Sequence, residues 1–228
     1  MRILLVAATE FEIRPFLGQM TFLRKDGDLF QQYLFRSVPV DVLIPGVGMM
    51  QTAFSLGKFL GKTKYSLAIN AGIAGTYHAS LKIGTVVNVT EECIPEMGAE
   101  DGESFVSMFE LGLMDPDGFP YIGGKLRNSG TIDSSALQLL PRVKGNTVNL
   151  VHGARKSIEK VKNLFPAEIE SMEGAAFLYS CLAEEIPCAQ IRSVSNFVEE
   201  RDRSRWNVPL AMKNLNKTLL AVMNDMVE

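Results

Sequence analysis

Short apolar runs that end in turn residues and lead into helix-like segments recur along this chain, and they constrain the fold more than any other feature. The segment Arg2–Ala8 is apolar after its first residue, as expected of a strand covered on both faces. Val40–Ile44, Ser66–Ala71 and Cys188–Ser195 also have strand character, and Met49–Leu60 has helical periodicity. Strands that alternate with helices in this way predict a three-layer αβα fold, an α/β architecture in which helices flank a mixed, twisted central sheet.

The size and charge of the chain narrow its class and its partners. Its 228 residues are enough for one large domain, and no linker, repeat or low-complexity segment divides residues 1–228 into two. The net charge of −3 gives no reason to expect a nucleic-acid or anionic-membrane partner. No apolar run approaches the roughly 18 residues that a membrane span needs, so we expect no membrane association.

Cysteine and histidine are scarce in this sequence. Cys93, Cys181 and Cys188 have no C-x-x-C spacing and are odd in number, so we interpret them as buried thiols of a cytoplasmic protein. With only His78 and His152, the chain lacks the ligands of a histidine-rich metal site. We therefore expect neither a metal ion nor an organic cofactor.

Glu12 has two interpretations. Thr9 and Glu12 have the S/T-x-x-E spacing of a capping box, in which the two side chains satisfy backbone donors at the start of a helix. Glu12 also lies just past the carboxyl end of the first predicted strand, where open α/β sheets bind their ligands. The residues alone leave both interpretations open.

Two glycine-containing segments follow predicted strands. In Pro45-Gly46-Val47-Gly48, a dinucleotide-binding interpretation fails because Gln51 stands where the third glycine is required. Asn70-Ala71-Gly72-Ile73-Ala74-Gly75 is predicted as a second glycine-rich turn, either a plain tight turn or one whose backbone amides approach a ligand. The middle of the chain, from Glu91 to Asn146, is the least informative part, and there we predict a helix at Ser134–Leu140. After it we predict a strand at Thr147–Val151.

The stretch Ser171-Met172-Glu173-Gly174-Ala175-Ala176-Phe177 lies where a short predicted strand leads into an apolar helix. A carboxylate such as Glu173 is stabilised at a helix N-terminus, so one interpretation is that Glu173 only caps this helix. A Met-Glu pair followed by small residues at a strand-to-helix turn also resembles the ribose-binding signature of the nucleoside phosphorylase/nucleosidase family. The resemblance extends over essentially the whole chain and is weakest in its middle third.

The resemblance implies a role for each part of the site. In that family, the glutamate at the position of Glu173 binds the ribose hydroxyls, and the methionine at Met172 packs under the sugar. Glu12 would be the general base on the attacking water, as in the nucleosidase branch, because the glycine-rich phosphate loop of the phosphorylases is missing here. Arg192 would support the sugar and the water. Contacts to the base or the water site would come from Ile73, Ala74, Gly75, Val151 and His152.

Asn196 is where this sequence departs from the adenine-specific branch of the family. The methylthioadenosine/S-adenosylhomocysteine nucleosidases have an aspartate here that protonates N7 of adenine. An asparagine amide cannot act as an acid, but it offers both a donor and an acceptor, which suits a 6-oxopurine. Side chains alternate along a strand, so we expect Arg192, Val194 and Asn196 to share one face.

The segment Phe197–Leu210 is polar and carries Trp206, the only tryptophan. It is either a solvated loop around a buried tryptophan or a cover over the 5′ side of the substrate. In the second case Arg201, Arg203 and Arg205 would bind an anionic 5′ group, because arginine pairs with carboxylates through two hydrogen bonds.

Together these features predict an enzyme with a nucleoside phosphorylase/hydrolase-like fold. It would hydrolyse the N-glycosidic bond of a purine nucleoside and release hypoxanthine, and the resemblance implies a homodimer or a higher homo-oligomer. Three alternatives remain open. They are an adenine-specific nucleosidase, a nucleoside phosphorylase, and a non-catalytic nucleoside-binding or storage protein.

Overall fold

The structure is a computed structural model that describes residues 1–227. The helices are α1 (Glu10–Leu17), α2 (Met49–Leu60), α3 (Ser135–Gln138), α4 (Arg155–Leu164), α5 (Gly174–Ala183) and α6 (Val208–Asp225). The strands are β1 (Ile3–Val6), β2 (Thr21–Asp26), β3 (Phe30–Phe35), β4 (Val38–Leu43), β5 (Leu67–Thr76), β6 (Val86–Cys93), β7 (Gly98–Asp101), β8 (Ser104–Ser107), β9 (Tyr121–Ile122), β10 (Lys125–Arg127), β11 (Arg142–Thr147), β12 (Ile169–Ser171) and β13 (Cys188–Phe197). Within residues 1–227, no helix combines the length and the apolar character needed to cross a membrane.

The central sheet is mixed and partly closed on itself. Its strands lie in the order β2-β3-β4-β1-β5-β12-β11-β6-β10-β9, while β7 and β8 form a separate hairpin. Strand β13 pairs with β5 in parallel and with β6 antiparallel. Five strands, β5, β12, β11, β6 and β13, are therefore joined in a ring, and this ring brings the ends of β5, β12 and β13 together.

Helices pack on both faces of the sheet. Helices α1 and α3 both contact α6, over a core that includes Ile3, Leu5 and Ile69. Helices α2 and α5 pack together on the other face, over a core that includes Leu4 and Val6. Alternate residues of β1 thus enter opposite cores, as its apolar sequence requires, and the predicted three-layer αβα fold is confirmed.

Several predicted elements match the structure closely. Helix α2 has the predicted bounds, and it begins after Gly48, whose φ of +108° is a backbone conformation that favours glycine. The predicted helix at Ser134–Leu140 is shorter in the structure, where α3 is a single turn with Ser134 as its N-cap. The Ser134 hydroxyl accepts the backbone N–H of Leu137, which satisfies one of the free donors at the helix start.

Two predictions about strands β5 and β11 were wrong. Asn70–Gly75 is not a turn but the continuation of β5, because its residues pair with β13 and, at Gly75, also with β12. The strand predicted at Thr147–Val151 lies earlier, at β11, which ends at Thr147, and residues 148–154 form a loop. In both places long-range pairing, which local sequence does not encode, decides the conformation.

Candidate active site

A cavity of about 290 Å³ opens where the carboxyl ends of β1, β5 and β13 meet. The start of α1, the turn before α2, the end of β12 and the start of α6 complete its wall. Its lining residues are Ala8, Thr9, Phe11, Glu12, Val47, Ile73, Ala74, Gly75, Val151, Glu170, Ser171, Met172, Glu173, Ser195, Asn196, Trp206, Val208 and Met212. The lining is largely apolar, so its few carboxylates and amides are the groups that could orient a ligand.

Glu12 is fixed in this cavity by both of its carboxylate oxygens. Oε2 accepts the backbone N–H and the hydroxyl of Thr9, each at 3.0 Å. Oε1 accepts the backbone N–H of Ile73 at 3.1 Å. The first pair of contacts is the predicted helix-capping arrangement, and the third ties the same carboxylate to β5. Glu12 therefore caps α1 and also lines the cavity, so the capping interpretation does not exclude the site interpretation.

Burial raises the pKa of Glu12, whose residue is only 8% exposed. The positive charge of Arg192 and the N–H of Ile73 oppose this effect only in part, and the negative charge of Glu173 adds to it. A carboxylate with a raised pKa is a better proton acceptor at neutral pH than an ordinary one.

Glu173 faces the same cavity from the start of α5. Its Oε1 accepts the backbone N–H of Gly48 at 3.0 Å, and its Oε2 lies 3.5 Å from Nη2 of Arg192. Glu173 occupies the N-cap position of α5, but its side chain makes no capping hydrogen bond. Its carboxylate therefore lines the cavity without capping the helix.

Arg192 lies behind the cavity wall and does not line it. The residue is 1% exposed, and its guanidinium contacts the side-chain oxygen of Asn70 as well as Glu173. A side chain at Gly72 would overlap this guanidinium, because an added Cβ would lie 2.1 Å from Nη1. Arg192 is thus placed to orient Glu173 and to compensate buried negative charge.

Asn196 lines the cavity at a bulge in β13. The pairing with β5 advances from Val194–Ala74 to Asn196–Gly75, so Ser195 is an extra residue. We expected Arg192, Val194 and Asn196 to share one face, and this was wrong at the bulge. Ser195 and Asn196 both line the cavity. The Asn196 Oδ1 accepts the Ser195 hydroxyl at 2.7 Å, and its Nδ2 donates to the carbonyl of Phe197 at 2.9 Å. One N–H and one acceptor site of the amide remain free for a ligand.

The other residues singled out from the sequence divide into two groups. Six of them line the cavity, namely Ile73, Ala74, Gly75, Val151, Met172 and Trp206. The His152 side chain instead binds Glu170, with Nδ1 2.5 Å from Oε2. Arg201 and Arg203 lie over the Trp206 ring, 5.4 and 5.9 Å from its centroid, and Arg205 pairs with Glu199 at 3.0 Å. None of these three arginines lines the cavity.

Sequence reasoning missed part of the site. Phe11 and Val47 line the cavity although they are 56% and 50% exposed. For Phe11, the available signal was an apolar residue beside a glutamate just past a strand. For Val47, it was an apolar residue between two glycines just past a strand. Glu170 and Met212 gave no such signal, because each belongs to an ordinary strand or helix pattern. Across residues 1–227, no three His, Cys, Asp or Glu side chains are grouped to hold a metal ion.

The fold and the cavity together define a class of protein. This is an αβα protein with three buried carboxylates, Glu12, Glu170 and Glu173, lining one cavity at the strand ends. A sequence model described as the phosphorylase superfamily matches residues 2–227. The chain belongs to the phosphorylase superfamily.

Individual relatives of this chain are nucleosidases, which form one branch of this superfamily. The chain is 29% identical over 190 residues to futalosine hydrolase of Acidothermus cellulolyticus, covering 80% of this chain and 74% of that protein. It is 27% identical over 189 residues to futalosine hydrolase of Thermus thermophilus, covering 79% of each. The solved 5′-methylthioadenosine/S-adenosylhomocysteine nucleosidase of Helicobacter pylori has the same fold, with a TM-score of 0.79, 16% identity, and coverage of 99% of this chain and 98% of that one. The predicted enzyme class, a nucleosidase that hydrolyses N-glycosidic bonds, is confirmed.

Proposed function

We propose that this protein hydrolyses futalosine and releases hypoxanthine, a reaction of the alternative route to menaquinone. The observation that carries the proposal is that Glu12, Glu173 and Asn196 surround one cavity. The relatives named futalosine hydrolase support the choice of substrate. Further support comes from Ser195-Asn196 and from the segment 201–206, where the sequence resembles those enzymes.

The geometry supports a division of labour between the two carboxylates. Glu12 accepts a proton from the water that attacks C1′, a task for which its raised pKa suits it. Glu173 accepts hydrogen bonds from the ribose hydroxyls, and Arg192 behind it keeps its carboxylate in place. These contacts promote the reaction if they strengthen as the ring acquires positive charge.

Asn196 stabilises the leaving base through hydrogen bonds. As the bond from C1′ to the purine breaks, its electron pair moves into the ring system of the base. The free N–H of the Asn196 amide donates to the 6-oxo oxygen, and the amide oxygen accepts a hydrogen bond from N7–H once N7 has taken a proton from solvent. With adenine, the same N–H would face the 6-amino group, so two donors would oppose each other. This is the reason to prefer hypoxanthine over the adenine-specific alternative.

A product assay tests the proposal. The purified protein is incubated with futalosine, inosine, methylthioadenosine and S-adenosylhomocysteine, with and without phosphate. We expect hypoxanthine from futalosine at a rate that does not depend on phosphate.

The other outcomes each identify one alternative. Free adenine as the main product would replace the proposal with the adenine nucleosidase. Ribose 1-phosphate formed only with phosphate would identify a phosphorylase. Binding of nucleosides without release of any base would identify a storage protein.

A further inference from the structure

Glu170, Gly75 and Asn196 lie in one row across three hydrogen-bonded strands. Glu170 of β12 and Asn196 of β13 are both register partners of Gly75 on β5, one on each side. Neighbouring strands lie about 4.8 Å apart, so the outer two backbones are separated by roughly 10 Å. Register partners direct their side chains to the same face of a sheet, so both polar side chains lie on one face, and all three residues line the cavity.

Gly75 lies between these two side chains and has no room for a side chain of its own. An added Cβ would lie 2.8 Å from Cγ2 of Val198 and 3.2 Å from Nδ2 of Asn196. The first distance is shorter than carbon atoms tolerate, so any other residue here would displace Val198 or Asn196. The row therefore presents two polar side chains to the cavity, with only the backbone of Gly75 between them.

Glu170 is held firmly, yet it keeps unused capacity. Its Oε1 accepts the backbone N–H of His152 at 3.1 Å. Its Oε2 accepts the Tyr77 hydroxyl and lies 2.5 Å from Nδ1 of His152. A carboxylate offers about four acceptor sites, so three donors leave one site free, on Oε1. Burial raises the pKa of Tyr77, with the charge of Glu170 as the next cause, so the hydroxyl stays protonated and donates.

We propose that Glu170 is a second base-selecting residue, which accepts a hydrogen bond from N1–H of a 6-oxopurine lying over Gly75. The inference rests on the proposed function, since it places a purine in this cavity. A 6-oxopurine carries a hydrogen on N1, whereas a 6-aminopurine presents a bare lone pair there. That lone pair would face a carboxylate oxygen, which can only accept. Glu170 thus rejects adenine at N1, which lies on the other side of the 6-substituent from N7. His152 and Tyr77 are positioning residues that hold its carboxylate.

The chain offers a matched control for the test. Glu168 lies two residues earlier, accepts the backbone N–H of Lys144 at 2.7 Å and does not line the cavity. The experiment compares the native protein with Glu170→Gln and Glu168→Gln. It measures kcat/KM for a 6-oxo and a 6-amino nucleoside with the same 5′ group. Calorimetry with free hypoxanthine and free adenine adds a reading that does not depend on turnover, and the melting temperature of each variant checks the fold.

We expect Glu170→Gln to lower the 6-oxo over 6-amino preference about tenfold, because the glutamine amide can donate to a bare N1. Affinity for hypoxanthine relative to adenine should fall by a similar factor, while Glu168→Gln should match the native protein in both. If Glu170→Gln does not fold, Tyr77→Phe removes one donor to Glu170 outside the cavity and should lower the preference in the same direction. Equal preferences in the native protein and in the Glu170 or Tyr77 variant would overturn the inference.

Failure of this inference can be told from failure of the proposed function. If the native protein prefers the 6-oxo nucleoside and the variants do too, only the inference falls. If no nucleoside is hydrolysed but hypoxanthine binds and Glu170→Gln weakens that binding, only the proposed reaction falls. A native preference for the 6-amino nucleoside overturns both.

Discussion

At the scale of single residues, Glu12 belongs to two hydrogen-bond systems at once. One of its oxygens closes the start of α1 on Thr9, and the other binds the backbone of β5 at Ile73. A side chain held at both oxygens has few rotamers left, so its position relative to a bound sugar is set before a substrate arrives.

Glu12→Gln should remove most of the turnover and leave the fold intact. The glutamine keeps one oxygen to accept a hydrogen bond but cannot take a proton from water. We expect kcat to fall about 10²–10⁴-fold, with little change in the affinity for hypoxanthine. Glu10→Gln is the control, since Glu10 lies on the same helical turn and does not line the cavity. A native kcat in the Glu12 variant would show that Glu12 serves only as a helix cap.

The pH dependence of kcat/KM should reflect the raised pKa of Glu12. A general base works only when it is ionised, so activity should rise with pH as Glu12 loses its proton. Since burial raises this pKa, the rise should come above the ordinary glutamate value of 4.5. The measurement is log kcat/KM against pH over the range in which the protein stays folded. A rise centred at the ordinary value would show that Glu12 is not the base.

At the scale of elements, β5 organises the site. It pairs with β1, β12 and β13, it donates a backbone N–H to Glu12, and it carries the two glycines against which Arg192 and Asn196 pack. A strand in this position acts as a shared wall for groups that come from distant parts of the chain. A side chain added at one of its glycines should therefore displace several of these groups at once.

Gly72→Ala should damage activity more than its size suggests. The added carbon would lie 2.1 Å from Nη1 of Arg192 and 3.0 Å from Oε1 of Glu12. We expect kcat/KM to fall about 100-fold, because a displacement of about 1 Å at a catalytic group costs that much. Gly57→Ala is the contrasting change, since Gly57 lies in α2 with no atom within 4 Å of an added Cβ. It should raise the free energy of unfolding by about 1 kcal/mol without altering kcat/KM. Native activity in the Gly72 variant would contradict this account.

The sequence was most informative about elements whose signal is local. The apolar run before Thr9 and the periodicity of α2 predicted both elements, because each depends on neighbouring residues. The continuation of β5 through Gly75 could not be predicted, because it depends on pairing with strands far away in the sequence. Glu170 was missed for the same reason, since its partner Tyr77 is 93 residues distant. Glu12 and Glu173 were identified through the family resemblance, while their geometry required the structure.

At the scale of the whole molecule, one buried acid is expected to influence stability. Glu92 of β6 is fully buried and accepts hydrogen bonds from Gln190 at 2.6 Å and from the Thr147 hydroxyl at 2.8 Å. Burial raises its pKa to about 7, from an ordinary value of 4.5. The folded protein therefore holds a proton that the unfolded chain releases over this range. Its stability should fall as the pH rises from about 4.5 to about 7, and the effect should level off above that.

Urea unfolding between pH 5 and pH 8 measures this effect. The expected loss is of the order of 1–3 kcal/mol, and Glu92→Gln should flatten the curve because the amide does not titrate. Glu91→Gln is the control, since Glu91 is the next residue and pairs with Lys125 and Arg127 near the surface. It should keep the fall in stability. A Glu92 variant with the native pH dependence would show that another group is responsible.

We predict that the exposed apolar side chains of α2 form part of a self-association surface. Met50 and Phe54 lie one turn apart and are 75% and 71% exposed, so they form a small apolar patch on the helix. We expect the native protein to sediment as a homodimer or larger and Phe54→Glu to shift it toward the 25.1 kDa monomer. Leu139→Glu, at an exposed residue by α3 on the opposite face of the sheet, should leave the assembly unchanged. A monomeric native protein would refute the prediction.

The double attachment of Glu12 has a consequence for inheritance. A codon change at position 12 would remove the proposed base and weaken the start of α1, where a lost cap costs about 1 kcal/mol. A loss of that size also lowers the amount of folded protein that a cell maintains. Such an allele would therefore lower both the catalytic rate of each molecule and the number of folded molecules in the cell. A stable but inactive descendant of this protein would need a different residue to cap α1.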